Sequence, residues 1–360
     1  MSVRIVLFLF SGILILSCSN KKKPLVIEEV SLVGSAELDV PKSLSEWGLF
    51  EQPLNELNPT EGVIPYDLNS PLFSDYSQKA RFVKLPEGAT AKYNQTEVLG
   101  FPEGTLLIKN FYYELNQTVS NGERKLMETR LLIHEANGWN ALTYVWNEEQ
   151  TEANLEIAGR TIPVSWTNKE GVLKNVNYSV PNLVQCKGCH ERSAKMSPIG
   201  PSARQLNKHF DYGGASTNQL TKWHELNLLD SLPDQDEIPK LAQWDDEQTE
   251  TLDARARAWL EINCAHCHRA DGPAKNTGLH LLASEQDLYR VGVGKPPVAA
   301  GRGSGGLKFG IVPGNPESSI LLHRIASDDP GVMMPELGRK LEHEEGVALI
   351  RDWIAEMKPL

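Results

Sequence analysis

Residues 131–146 read Leu131-Leu132-Ile133-His134-Glu135-Ala136-Asn137-Gly138-Trp139-Asn140-Ala141-Leu142-Thr143-Tyr144-Val145-Trp146. Two runs rich in aliphatic, aromatic and β-branched residues flank Asn137-Gly138, a dipeptide that readily takes the positive φ of a tight hairpin turn. Asn121-Gly122 repeats that signal upstream, and Thr105-Leu106-Leu107-Ile108 is another run of the same kind. Residues 43–180 therefore predict a mainly-β domain, an antiparallel sandwich or barrel. Beyond Pro181 the apolar spacing becomes helical and is broken by Gly and Pro. The acidic stretch from Asp234 to Asp253 divides that second half and reads as a solvated linker. The expected fold is multidomain: the β region, then mainly-α segments at 181–250 and 251–360. A length of 360 residues agrees, since single hydrophobic cores stop growing at about 250–300 residues.

Apolar residues make up 40% and charged residues 23% of the chain, ordinary globular usage that excludes disorder and a polytopic membrane protein. The formal net charge of −11 repels phosphate backbones and excludes nucleic acid as a partner. Five Cys, an odd and sparse set, exclude a disulfide framework. The first is Cys18. Before it, Arg4 precedes an apolar stretch from Ile5 to Leu16, too short for the ~20 residues of a spanning helix. Residues 1–17 read as an export signal. Ile15-Leu16-Ser17-Cys18 resembles a bacterial lipobox, which implies acylation of Cys18, with residues 18–42 as a tether to the membrane. The expected location is the periplasmic, extracytoplasmic side of a bacterial membrane, lipid-anchored.

The other four form Cys186-Lys187-Gly188-Cys189-His190 and Cys264-Ala265-His266-Cys267-His268. Two thiols three residues apart suit the two vinyl groups of one haem, and the adjacent His is placed to bind its iron. With 9 His in 360 residues, a His following both pairs by chance has odds of roughly one in 1,600. A zinc site would bring the pairs within ~15–20 residues. Here 74 residues separate Cys189 from Cys264. The expected cofactors are two covalent haem c groups, on Cys186 and Cys189 with His190, and on Cys264 and Cys267 with His268.

Leu252, Ala256, Trp259 and Leu260 form a helical stripe leading into the second motif, and Val347, Ile350, Ile354 and Met357 form another near the C-terminus. With the intervening Met334-Pro335, residues 252–357 resemble a class I cytochrome c domain. That resemblance implies Met334 as sixth ligand of the second iron, with Met333 the competing sulfur. More widely, YDLNSPLFSDY, FPEGTLLIKNF, PIGPSARQLN, NCAHCH and MMPELGR are similar to stretches of an uncharacterised family of bacterial dihaem cytochromes. The first iron has no Met-Pro at that spacing. Met196, His209, His224 or an open position stand as alternatives.

These readings point to single-electron transfer between redox partner proteins, such as a periplasmic dehydrogenase or a terminal oxidase chain. A dihaem peroxidase, or an electron-accepting subunit of an extracytoplasmic dehydrogenase, are the alternatives. A peroxidase would show a high-spin haem, whereas an electron carrier would show two six-coordinate low-spin ones.

Overall fold

Alternation of apolar side chains lays down six strands: β1 (Val63–Tyr66), β2 (Gln78–Lys84), β3 (Leu106–Glu114), β4 (Arg124–Glu135), β5 (Gly138–Trp146) and β6 (Ala153–Leu155). The structure, a computed structural model, describes residues 40–214 and 216–359. Cys18, the export signal and nearly all of the tether lie outside the described residues. The six strands form one antiparallel meander in chain order, and β7 (Arg160–Thr167) and β8 (Leu173–Val180) pair separately. The two-residue β4–β5 turn is Ala136-Asn137, and only Gly138, paired to Glu135 at the start of β5, takes the positive φ, 115°.

One face of the sheet carries Phe82, Ile108, Leu131 and Tyr144 and is covered by the turns holding Leu44, Leu49 and Leu54. The other carries Val83, Leu85 and Leu107, which pack with Ala203, Leu206, Leu220 and Trp223 of the second half. Those residues lie on α2 (Ala203–Leu206) and α3 (Gln219–Glu225), which follow α1 (Leu183–His190). Farther on come α4 (Leu252–Leu260), α5 (Leu288–Val291), α6 (Ile320–Ile325) and α7 (Glu344–Glu356).

The expected fold is corrected in two respects. The β region is an open meander with a separate ribbon rather than a sandwich or barrel. Among the described residues the second half forms no mainly-α cytochrome domain, and only α7, at 13 residues, exceeds nine. The two apolar stripes do form helices and do pack together, with Trp259, Val347, Ile350 and Ile354 in one core. Gly346 permits that approach, since a Cβ there would lie 2.3 Å from the Trp259 indole nitrogen. Between the stripes, however, Gly and Pro keep the chain in loops and short 3-10 turns. Leu281, Val291, Val293 and Ile311 from that stretch pack into the same core as the two helices. The acidic stretch is likewise not merely solvated, because Ile238 and Leu241 within it are buried.

Residues 66–76, YDLNSPLFSDY, bind these parts together. Asp67 pairs with Arg81 on β2 and with Lys208. The Asn69 side-chain amide donates to the carbonyls of Arg204 and Asn207. The Phe73 amide donates to Asn263 Oδ1, and Asp75 Oδ1 accepts from the amides of Lys340 and Leu341 at 2.6 and 2.8 Å. Residues Pro41–Leu360 consequently make one compact unit.

Candidate functional site

Asn182 starts α1 with a capping box: its side chain accepts from the Gln185 amide while Gln185 reaches back to the Asn182 amide. The short helix that follows sets Cys186, Cys189 and His190 into the wall of a cavity against the sheet. The cavity holds about 1850 Å³ of empty space, its open mouth included. Its other walls come from segments far apart in sequence: Pro198–Pro201, Trp259 to His266, and Met334 to Lys340. Residues from all five stretches quoted for the family resemblance therefore face one space.

The second motif follows α4 through a π-helical turn, Glu261–Ala265, which buries Cys264. The two motifs touch: the Cys267 thiol donates to the Gly188 carbonyl with Sγ···O 3.8 Å. All four thiols are free. Burial pushes Cys264 and Cys267 up to about 12, with the neighbouring sulfurs adding to it, and also raises Cys186 and Cys189. Among the described residues no cluster of three or more His, Cys, Asp and Glu side chains is arranged to hold a bare metal ion.

Both motif histidines are oriented through Nδ1. His190 Nδ1 lies 2.9 Å from the Ser197 carbonyl, and His268 Nδ1 lies 3.1 Å from the Thr277 hydroxyl. Burial brings both down to about 4, so both rings are neutral at pH 7. Neither Nε2 makes a hydrogen bond among the described residues, which leaves a lone pair for iron. Free thiols in CxxC pairs, neutral histidines held from behind and, at the first motif, a cavity against the sheet fit covalently attached haem.

Met334 lines the cavity together with His190, whereas His268 lies outside that cavity's wall. The Met334 loop is fixed by its backbone: its amide donates to the Arg324 carbonyl, and its carbonyl accepts from Arg339 at 2.7 Å. Met333 points elsewhere and is 2% exposed. Of the alternatives for the first iron, none faces the cavity. His209 is exposed on a short strand paired with Ser216–Asn218, His224 is exposed with Nδ1 against the Leu229 carbonyl, and Met196 sits in a two-residue ribbon.

No family model, curated protein or solved structure matches this chain.

Sequence reasoning missed a set of charged groups on the sheet. Arg81, Lys109 and Arg130 are direct cross-strand neighbours on β2, β3 and β4, and all three line the cavity. Arg130 holds Glu128 through Nε and Nη2 at 2.9 and 2.5 Å, and the Tyr178 hydroxyl donates to the same carboxylate at 2.5 Å. Burial opposes the Arg130 charge, but Glu128 overcomes it and holds the guanidinium pKa above its usual value. The signal was present in FPEGTLLIKNF: Lys109 shares its parity with Leu107 and Phe111, so a charge stands on the face that alternation assigns to the interior.

Proposed function

We propose that this chain is an extracytoplasmic, lipid-anchored dihaem c-type cytochrome that passes single electrons between redox partner proteins. The observation that carries the reading is the meeting of the two CxxCH motifs, where Cys267 Sγ stands 3.8 Å from the Gly188 carbonyl. Groups attached at those thiols are necessarily neighbours, as a two-centre relay requires. When bound, haem supplies a one-electron Fe(III)/Fe(II) couple. The chain does the remainder: Cys186, Cys189, Cys264 and Cys267 anchor, while His190 and His268 present neutral imidazole nitrogens. The buried walls keep water from the centres, which limits reorganisation on electron transfer. An acidic surface favours partners with basic docking patches.

Intact mass and acid-acetone extraction of the exported protein test this reading. Two haems should remain on the polypeptide, and a Cys186→Ala/Cys189→Ala variant should retain one. Colour lost to the solvent, or an intact mass equal to the bare chain, would refute it. Cys18→Ala should move the still coloured protein from the membrane fraction to the soluble one.

A further inference from the structure

The cavity's wall is cationic beyond the need of its own ion pairs. Of the charged side chains lining it, setting histidines aside, five are Lys or Arg and two, Asp75 and Glu336, are acids. Arg130 is satisfied by Glu128, and one arm of Arg81 by Asp67 at 2.8 Å. The other arm is not. Arg81 is 5% exposed, and its Nη2 is buried without any hydrogen-bond partner. Beside it, Lys109 makes no ion pair among the described residues. Its ammonium lies over the Phe111 ring at 4.7 Å, and Arg130 packs on the same ring at 4.3 Å. Burial, together with Arg81, Lys79 and Arg130, holds the Lys109 pKa well below its usual value. A buried guanidinium arm without an acceptor, next to an unpaired ammonium, marks a place for an anion.

Register says which anion. The row continues from Arg130 to Thr143 on β5, and the Thr143 hydroxyl meets the Cys186 thiol. Lys109 is thus two strands from the attachment sulfur and Arg81 three, at ~4.8 Å per strand. In haem the two propionates leave the ring edge opposite the vinyl groups that the cysteines take. We propose that Arg81 and Lys109, supported by Arg130, form a carboxylate-binding site for the propionates of the haem attached at Cys186 and Cys189. This rests on the dihaem reading, and it gives the sheet a role: it is the propionate wall of the first haem.

The test uses the full-length holoprotein and the variants Lys109→Gln, Arg81→Gln and Lys109→Arg. Intact mass first counts the haems, so failure of the dihaem reading appears in the wild type before any variant is made. With two haems present, potentiometry should show one wave moved to lower potential in Lys109→Gln and Arg81→Gln, because an unpaired propionate favours ferric iron. That wave should be the one absent from Cys186→Ala/Cys189→Ala, and Lys109→Arg should restore it towards the wild-type position. Two haems with both waves unmoved in the Gln variants would overturn the inference. A free carboxylate is the other source of the same chemistry. If added succinate shifts the wild-type wave and Lys109→Gln abolishes that response, the site belongs to a free ligand and the propionate assignment falls.

Discussion

Replacing Glu128 by Gln tests the charge balance of the cavity wall directly. Glu128 is fully buried and receives three hydrogen bonds, two from Arg130 and one from Tyr178. Gln keeps the shape and one acceptor oxygen but removes the charge that justifies a guanidinium there. Breaking one partner of a buried pair costs about 3–5 kcal/mol. The Arg130 side chain keeps 28% exposure and regains some hydration, so the expected loss is near the lower bound, ~3 kcal/mol. Tyr178→Phe deletes only one hydrogen bond to a charged acceptor and should cost ~1.5–3 kcal/mol. The double variant should lose less than the sum, because both donors share Oε1. Urea unfolding of the holoprotein followed by far-UV circular dichroism would read these losses as midpoint shifts at constant slope. A Glu128→Gln loss below ~1 kcal/mol would refute the claim that this pair governs the wall, since that is the size of an exposed ion pair.

Two further predictions follow from single side chains. His343 is buried, stacked on Phe73 at 4.1 Å, and accepts the Trp259 indole N–H; burial is the chief reason its pKa falls to about 3. The unfolded chain takes up this proton near pH 6.5 and the folded one does not, so His343 lowers stability as pH drops from 6.5 towards 3. Its share approaches ~1.4 kcal/mol per pH unit inside that window. Denaturation midpoints of His343→Gln should lose that part of the acid slope, and an unchanged slope between pH 6.5 and 5 would contradict the burial argument. Met334→Ala should abolish the long-wavelength charge-transfer band of Met-ligated ferric haem with both haems still attached, while His209→Ala and His224→Ala leave the spectrum unchanged. If Met333→Ala removes the band instead, the ligand sulfur is the other one.

The parts of this molecule that could be read from sequence are those written in local chemistry. The β4–β5 turn falls at Asn137-Gly138 to within one residue because Gly138 takes the positive φ that closes it, and Leu252 to Leu260 is helical because its stripe, its Thr251 cap and its length agree. CxxCH is a local pattern too. What stayed hidden was pairing over long separations. Nothing near Asp75 announces that its carboxylate will cap residues 340–341, and nothing near Leu107 shows that Trp223 will share its core. The mainly-α expectation fails for another reason: the two apolar stripes are helical, but the Gly- and Pro-broken chain between them stays mostly in loops and short turns that fill the same core. Lys109 is inconspicuous in the sequence because a single charge in a strand is ordinary; only its register with Arg81 and Arg130 gives it meaning.

The strap at residues 66–76 bears on how such a protein is made. Chains emerge from the N-terminus, so the strands and both thiol pairs are present before the partners of Asp75 and Tyr76 at residues 340–345 exist. Until those arrive, the side of the cavity formed by Met334 to Lys340 is missing, and Cys186 and Cys189 stand beside an open sheet. In the closed fold Cys186 and Cys264 are each 8% exposed. If haem is attached as proposed, chain order would leave an interval for its insertion that ends when the C-terminal segment closes the cavity.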